Sequence, residues 1–144
     1  MPRVQPLRHA SFSAAAEMWR AELLEVYQDP AILPAPEDSP RFFRDIVYPV
    51  CESWWVVQAG PVLAAMMGLA HQHIAHLFVR PGFRSRGYGQ ALVAHAKSIY
   101  PQGLTVTTSA PACPFYSQLG FVVVANAADE IRLCWTPPPP SLAP

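Results

Sequence analysis

The sequence predicts one mixed sheet packed against helices, an α/β chain in the broad sense that includes α+β domains. Two segments carry apolar residues at helical spacing, and short apolar runs bounded by glycine, proline or polar residues follow residue 53. The 144 residues are enough for one hydrophobic core and too few for two domains of ordinary size. Strands and helices alternate in the second half, so we expect the strands around the two later helices to run parallel.

Composition indicates a globular protein and argues against two classes of partner. Apolar residues make up 51% of the chain and charged residues 14%, which excludes a disordered protein. The formal net charge is zero, whereas a protein that binds a nucleic-acid backbone usually carries a surplus of lysine and arginine. No apolar run reaches membrane-spanning length, and residues 1–10 lack the apolar core of a signal peptide. We therefore expect a cytoplasmic protein with no nucleic-acid partner and no membrane partner.

The cysteines indicate packing rather than a disulfide framework or a metal site. Cys51, Cys113 and Cys134 are odd in number and far apart, and no C-x-x-C spacing occurs. We expect all of these thiols to be reduced, in keeping with a cytoplasmic chain, and we expect no bound metal.

The first part of the chain predicts a strand and a helix. Residues 3–8 form a short strand, at an edge position because Pro6 lacks a backbone N–H. A helix capped by Ser11 or Ser13 then continues to Tyr27, since apolar side chains recur in it at helical spacing.

A proline-rich loop and a second helix come next. The loop covers residues 29–40, and this length is uncommon in a compact domain unless the loop has a function. The pair Ser39 and Pro40 is typical of a helix start, and residues 41–50 predict a helix that Pro49 ends.

Three apolar runs then predict three strands. Residues 53–58 and 61–70 form a hairpin around Ala59 and Gly60. Residues 73–79 form the third strand, which leads directly into a turn rich in glycine and arginine.

The remaining elements alternate between helix and strand. A helix ends near Tyr100, residues 103–109 predict a strand rich in β-branched residues, and residues 111–119 predict a short helix. Two final strands, over residues 121–126 and 130–135, enclose a polar turn.

We place the domain boundary after this last strand. Residues 1–136 form the domain, and residues 137–144 form a proline-rich C-terminal tail of polyproline-like character.

The turn after the third strand has the features of a phosphate-binding loop. Arg80, Arg84 and Arg86 surround it, Gly87 and Gly89 lie at its exit, and no Asp or Glu occurs between residues 53 and 128. The N–H groups at a helix start lack intrahelical partners and carry partial positive charge, and glycine allows a ligand to approach them closely. A pyrophosphate on these amides is one interpretation, and a tight turn without a ligand is the other.

The spacing of the turn excludes two common phosphate-binding motifs. A Walker loop needs a Lys-Ser or Lys-Thr pair directly after its glycines, and none is present. A dinucleotide fingerprint needs three glycines and an acid about 20 residues later, and this segment has no such acid.

Two motifs together resemble the GNAT superfamily of N-acetyltransferases. The segment LFVRPGFRSRGYGQAL is similar to the acetyl-coenzyme A signature of that family, and TTSAPACPFYSQLGF is similar to its strand, short helix and FY-x-x-LGF ending. The matching residues of the first motif are Val79, Pro81, Arg84, Gly87 and Gly89, and those of the second are Phe115, Tyr116, Leu119, Gly120 and Phe121.

The resemblance implies both a fold and a binding mode. The fold is a single mixed, mostly antiparallel sheet of about seven strands with a V-shaped parallel splay, flanked by about four helices. Acetyl-coenzyme A is the implied co-substrate, with its pyrophosphate on the amides of residues 84–89 and its pantetheine arm between the strands that end at Val79 and near Ser109. Its thioester carbonyl meets a backbone N–H of residues 77–79. The implied cofactor-binding residues are Leu77, Phe78, Val79, Arg84, Ser85, Arg86, Gly87, Tyr88, Gly89, Gln90 and Ser109.

Tyr116 is the candidate general acid for the departing thiolate. The FY-x-x-LGF resemblance places it beside the cofactor, and a phenol with a pKa of about 10 is a usable proton donor to a thiolate. The alternative is a tyrosine that only packs its ring and exposes its hydroxyl.

The base that deprotonates the amine is where the chain departs from the family pattern. Many members carry a glutamate on the strand before the glycine turn, and this chain has no acid there. His73 and His76 lie on that strand, and an imidazole can act as a base directly or through water. Strand alternation puts the two on opposite faces unless a bulge intervenes. We favour His76, with a buried structural histidine as the alternative for each.

The second motif contains two other residues with reactive or polar side chains, Ser109 and Cys113. Ser109 stands where family members often carry an asparagine that contacts the cofactor arm, and we expect its shorter side chain to act through water. Cys113 resembles a nucleophile only by position, because no activating partners are recognisable nearby, and we expect it to pack.

The resemblance implies acetyl transfer to a primary amine, of a small molecule or a peptide, by direct attack in a ternary complex. The alternatives are a catalytically silent acyl-coenzyme A-binding module and a nucleotide-binding domain of another type. A second copy of the chain, in a homodimer, is a further possible partner. One group of acids is a candidate for binding a cationic amine, with solvated surface positions as the alternative. Those acids are Glu22, Glu25, Asp29, Glu37, Asp38, Asp129 and Glu130.

Overall fold

The computed structural model describes residues 2–128 and 130–139, and seven strands and four helices lie within them. The strands are β1 Val4–Pro6, β2 Ser53–Ala59, β3 Val62–Ala70, β4 His73–Val79, β5 Leu104–Thr108, β6 Val122–Ala127 and β7 Glu130–Trp135. The helices are α1 Phe12–Tyr27, α2 Ser39–Phe42, α3 Tyr88–Ile99 and α4 Cys113–Gln118.

All strands belong to one mixed sheet of order β1-β2-β3-β4-β5-β7-β6. Every neighbouring pair is antiparallel except β4 and β5, which run parallel. This pair is joined at His73 with Thr105 and at Ile74 with Val106, and no further pair joins the two strands within the described residues. The strands therefore separate towards their carboxyl ends, which confirms the predicted splay.

Helices cover both faces of the sheet, and each face has its own hydrophobic core. On one face, Leu92 and Val93 of α3 pack against Met67 and Leu69 of β3. On the other face, side chains of α1 and of the segment after α2 pack against β2 and β3, with Phe43 fully buried. Each such side chain contributes about 1.5–3 kcal/mol through burial, so the two cores hold the central strands from both sides.

A β-bulge interrupts β4 one residue before His76. Gly68 of β3 pairs with His76, whereas the next residue, Leu69, pairs with Ile74, which leaves Ala75 without a partner. Ile74 and Leu77 accordingly pack into the same core, although they are three residues apart. His73 and His76 must then share the opposite face, because the extra residue cancels the alternation that would have separated them.

The second helix is shorter and less regular than the sequence predicts. Residues 41–50 were expected to form one helix, but α2 ends at Phe42 and continues as a π-helical turn over Phe43–Val47 and a 3₁₀ turn over Tyr48–Val50. The wider turn keeps the side chains of Phe43 and Val47 on the core, and Pro49 has no N–H to continue a helix. Tertiary packing has overridden the local helical pattern here.

The ends of the chain agree with the sequence only in part. Ser11 precedes α1 as predicted, but its side chain makes no capping hydrogen bond. Residues 137–139 are exposed and have no regular structure, whereas residues 140–144 of the predicted tail lie outside the described residues. No helix among the described residues has the length and apolar character that a membrane crossing requires.

Candidate functional site

The first turn of α3 presents backbone N–H groups that have no acceptor within the helix. Gly87 is the N-cap residue and adopts a left-handed conformation with φ of 83°, and no side chain caps this helix end. The first intrahelical bond runs from the N–H of Ala91 to the carbonyl oxygen of Gly87, at 2.9 Å. The N–H groups of Tyr88, Gly89 and Gln90 are therefore free to bind an anion.

The two glycines of this turn serve different purposes. A Cβ atom at Gly87 would meet no atom within 4 Å, so its surroundings are open, and glycine there supplies the left-handed conformation. A Cβ atom at Gly89 would lie 3.1 Å from Cζ of Phe115. Gly89 thus allows the aromatic ring of α4 to pack directly on the start of α3.

A cavity of about 840 Å³ opens between the carboxyl ends of β4 and β5, the glycine turn and α4. Most of the residues that the sequence assigned to the site lie on its wall. Those residues are Leu77, Val79, Arg84, Ser85, Gly87, Tyr88, Gly89, Gln90, Ser109 and Tyr116.

Three of the assigned residues lie away from this wall. Phe78 packs against the core on the α1 side of the sheet. Arg86 is exposed, with its guanidinium 5.3 Å from the centre of the Phe83 ring. His76 stacks on the indole of Trp54, at 5.3 Å between ring centres, and this indole is buried on the α1 side.

Backbone N–H groups of β4 point into the splay at alternate residues. The N–H of Arg80 donates to the carbonyl oxygen of Ala64 in β3, at 2.9 Å. In an antiparallel ladder every second residue bonds the same neighbour, so Phe78 also directs its N–H towards β3. The N–H groups of Leu77 and Val79 face the other way, into the opening between β4 and β5.

Tyr116 lies at the inner end of the cavity and is only 5% exposed. Its ring packs edge-on against Phe115 and Phe121, at 4.9 and 5.5 Å between ring centres. Burial raises the pKa of the phenol well above its usual value, so the hydroxyl keeps its proton at neutral pH. No hydrogen-bond partner for this hydroxyl is found among residues 2–128 and 130–139.

The histidines of β4 form a pair on the face opposite the cavity. Nδ1 of His73 lies 2.8 Å from the hydroxyl oxygen of Thr105, and His76 is held between Trp54 and Phe78. Burial lowers the pKa of both imidazoles, and the positive charge of His73 lowers that of His76 further. Both rings are consequently neutral at pH 7.

Two glutamates of α1, which are among the acids considered above for a cationic acceptor, complete the cavity wall beside the glycine turn. Glu22 and Glu25 are three residues apart and so share a helix face. Nη2 of Arg84 lies 3.3 Å from Oε1 of Glu22 and 3.8 Å from Oε2 of Glu25. The positive region predicted around the glycine turn is therefore partly neutralised by acids from a helix some 60 residues earlier. The spacing of the two glutamates was the signal available in the sequence.

The other acids considered for the acceptor lie elsewhere. Glu37 and Asp38 line a separate cavity of about 440 Å³ beside the start of α1, together with Arg41 and Arg44. The carboxylate of Asp29 accepts a hydrogen bond from a backbone N–H in its own loop, and Glu130 is exposed at the start of β7. Asp129 lies outside the described residues.

None of the three cysteines lies on the cavity wall. All three thiols are free, and burial raises the pKa of Cys51 to about 11. Sγ of Cys113 lies 3.6 Å from the carbonyl oxygen of Ser109. Within the described parts of the chain, no group of three or more His, Cys, Asp or Glu side chains is placed to hold a metal ion.

Comparison with known families accounts for this arrangement. The sequence profile of the acetyltransferase (GNAT) domain matches residues 51–123, which include β2 to β5, the glycine turn and α4. The chain belongs to the GNAT acetyltransferase family. A curated relative is the peptidyl-lysine N-acetyltransferase YjaB of Escherichia coli, which is 32% identical over 93 residues. That match covers 63% of this GNAT chain and 60% of the relative.

Solved structures share the GNAT fold along almost the whole chain. The PaiA N-acetyltransferase of Thermoplasma acidophilum, crystallised in complex with coenzyme A, superposes with a TM-score of 0.68 at 14% identity, covering 94% of this chain and 99% of that one. The solution structure of the apo form of Escherichia coli YjaB gives a TM-score of 0.65 at 23% identity, covering 93% and 95% of the two chains. At these identities the likeness establishes the fold.

Proposed function

We propose that this GNAT-family chain transfers an acetyl group from acetyl-coenzyme A to a primary amine of a small molecule or a peptide, by direct attack in a ternary complex. The observation that carries the proposal is the uncapped start of α3, which opens into the same cavity as Tyr116 and the splay of β4 and β5. The names of the relatives, an N-acetyltransferase bound to coenzyme A and a peptidyl-lysine N-acetyltransferase, support it.

The described residues fit this co-substrate. The cavity of about 840 Å³ is within the range of about 300–1,000 Å³ that is usual for sites of large organic ligands. The N–H groups of Tyr88, Gly89 and Gln90 would hold the pyrophosphate, and the open side of Gly87 would let it approach them. Ser109 would contact the arm of the co-substrate from the end of β5.

The splayed strand supplies a donor for the charge that develops during transfer. Acetyl-coenzyme A provides an electrophilic thioester carbonyl, whose oxygen gains negative charge as the amine nitrogen bonds to the carbon. An N–H of Leu77 or Val79 would stabilise that charge, and a fixed donor of this kind contributes about 3–4 kcal/mol.

Tyr116 would donate the proton that the leaving thiolate needs. The phenol lies on the cavity wall and stays protonated because burial raises its pKa. His76 remains our candidate base, but its ring lies on the α1 side of the sheet, so it would act through a water path across the splay.

A second candidate function is an acyl-coenzyme A-binding module without catalysis. The observation that favours it is the lack of a base on the cavity side of β4, which carries no acid and directs His76 to the opposite face. Such a module would bind the co-substrate through the same N–H groups and would release no thiol with any amine.

Thermal melts with acetyl-coenzyme A, ATP and NAD, followed by an amine panel, test these functions. At a ligand concentration about 100 times the dissociation constant we expect about 2.7 kcal/mol of added stability, and a higher Tm, with acetyl-coenzyme A alone. Thiol release with a panel of lysine peptides, polyamines and small primary amines then separates enzyme from silent module. A shift with ATP or NAD and none with acetyl-coenzyme A would overturn both candidate functions.

The cytoplasmic location, the homodimer and the lack of a nucleic-acid partner remain predictions.

A further inference from the structure

Arg84 is the one cation on the cavity wall, within the described residues, and both of its ion-pair partners are carboxylates on that wall. Its Nη2 lies 3.3 Å from Glu22 and 3.8 Å from Glu25, and its Nε donates to the carbonyl oxygen of Val79 at 3.3 Å. The side chain thus reaches from the glycine turn to α1 along the wall of the cavity.

The same guanidinium belongs to the turn whose N–H groups we assign to the pyrophosphate. A diphosphate bound there would compete with the glutamates for Arg84, because arginine pairs with phosphate oxygens as readily as with carboxylates. In this structure the Nε and Nη2 donors of Arg84 face Val79 and the two glutamates. A diphosphate that pairs with this same edge of the guanidinium would displace the carboxylates of α1.

The released carboxylates would remain on the wall of the cavity. The side chain of Glu22 is only 19% exposed, so its charge is poorly solvated without a cationic partner. Burial raises its pKa above the usual value, Arg84 opposes the increase and Glu25 adds to it. The other titratable groups on this wall are Tyr88 and Tyr116. A cation is the species that satisfies this position after Arg84 leaves.

We propose that Arg84 exchanges Glu22 and Glu25 for the pyrophosphate of the co-substrate, and that the two freed carboxylates then bind the ammonium group of the acceptor amine. This inference rests on the proposed function and deepens it. It gives Glu22 and Glu25 the role of specificity determinants for a cationic acceptor, and it requires the co-substrate to bind before the amine.

Calorimetric titration with coenzyme A tests the exchange without any catalytic readout. Replacing both carboxylates, in the double variant Glu22→Gln and Glu25→Gln, should tighten coenzyme A binding by about two- to fivefold, the worth of an exposed ion pair that no longer has to break. Arg84→Gln should weaken it by about tenfold or more, since a charged hydrogen-bond donor is lost. In the Arg84→Gln background the glutamine pair should then change the affinity little, which is the coupling that the exchange demands.

Glu17→Gln is the matched control on the same helix. Glu17 pairs with Arg80 at 3.5 Å and does not lie on the cavity wall, so this variant removes one carboxylate charge from α1 without touching the exchange. Its coenzyme A affinity should match that of the unmodified protein. Weaker binding in the glutamine pair would mean that the carboxylates only hold Arg84 in place, and it would overturn the proposal. An unchanged effect of that pair in the Arg84→Gln background would do the same.

The second part of the experiment measures how the acceptor binds, with the amine that the panel shows to be acetylated fastest. Its heat of binding should be measurable on the protein loaded with coenzyme A and absent on the free protein, and its KM should rise by about tenfold or more in the glutamine pair. Equal binding to both forms, or an unchanged KM, would contradict the inference and leave the proposed function intact. Failure of the unmodified protein to bind coenzyme A would instead remove the proposed function itself.

Discussion

Single residues of this chain owe their chemistry to what surrounds them. The ring of Tyr116 is enclosed by Phe115 and Phe121, and this burial keeps its hydroxyl protonated while one side faces the cavity. Gly87 has no Cβ atom, so it can adopt a left-handed backbone. Its surroundings are open, which leaves the first N–H groups of α3 accessible. Neither residue could supply the function alone.

We expect Tyr116→Phe to lower kcat by about 100-fold or more, the usual contribution of a positioned general acid. The ring is retained, so coenzyme A affinity should stay within about twofold of the unmodified protein, and thiol-release kinetics with calorimetry measure the two quantities. Tyr48→Phe removes a hydroxyl from the α1 side of the sheet and serves as the control. Equal kcat in the two variants would leave Tyr116 as a packing residue.

We expect Gly87→Ala to lower the free energy of unfolding by about 1–2 kcal/mol, because a Cβ atom is disfavoured at its φ of 83°. The variant should also weaken coenzyme A binding, since the turn must relax or block the N–H groups. Denaturant unfolding measures the first effect. Gly82→Ala is the matched control, because Gly82 has equal space around it and no left-handed backbone. A similar loss in both variants would exclude backbone strain as the cause.

At the level of elements, the single lysine of the chain adds a polar contact between α3 and the end of α4. Nζ of Lys97 donates to the carbonyl oxygen of Leu119, at 2.5 Å, and lies 4.7 Å from the centre of the Trp135 ring. The contact joins the last turn of α3 to the residue after α4, at the far end from the glycine turn. It ties the residue that follows α4 to α3, three positions after Tyr116.

We expect Lys97→Met to destabilise the protein by about 1–3 kcal/mol, since the aliphatic stem is kept while a charged hydrogen bond is lost. Denaturant unfolding checks the value. Arg86→Met removes an exposed cation that lies over the Phe83 ring, and its loss should be near 0.5–1 kcal/mol. Indistinguishable losses would show that Lys97 contributes only surface charge.

Across the whole molecule, the half-buried imidazoles make stability depend on pH. Burial lowers the pKa of His73, His76 and His95 in the folded protein below the ordinary value of 6.5. The unfolded chain therefore binds more protons in acid, so the stability that is present above pH 6.5 is lost progressively as the pH falls.

We expect the Tm to decrease between pH 7 and pH 5, and His76→Phe to make that decrease shallower. The substitution keeps the aromatic stack on Trp54 and removes a group that resists protonation. Melts across this range compare His76→Phe with His9→Gln. The control replaces an exposed imidazole that packs on Phe12, and it should retain the slope of Tm against pH. An identical slope in His76→Phe and the unmodified protein would assign the acid sensitivity to other groups.

Much of the fold and part of the site followed from local patterns. The strands after residue 53 agree with the apolar runs that predict them, because each run is local to the chain. The splay of β4 and β5 was implied by the family resemblance, since it joins residues as far apart in sequence as His73 and Thr105. The second helix did not follow its local pattern, since the burial of Phe43 imposed a wider turn. The faces of His73 and His76 also escaped prediction, because a bulge at Ala75 leaves no signature in a run of apolar residues.

The sequence by itself determined the family and the position of the glycine turn at a helix start, since glycine conformation, helix starts and apolar periodicity are encoded within a few residues of each other. Only the tertiary structure decided the charge of the cavity. Arg84 stands in a stretch free of acids, yet the packing of α1 against the splayed sheet brings Glu22 and Glu25 to within 4 Å of it. Coulomb interactions depend on distance through space, and distance along the chain does not report it.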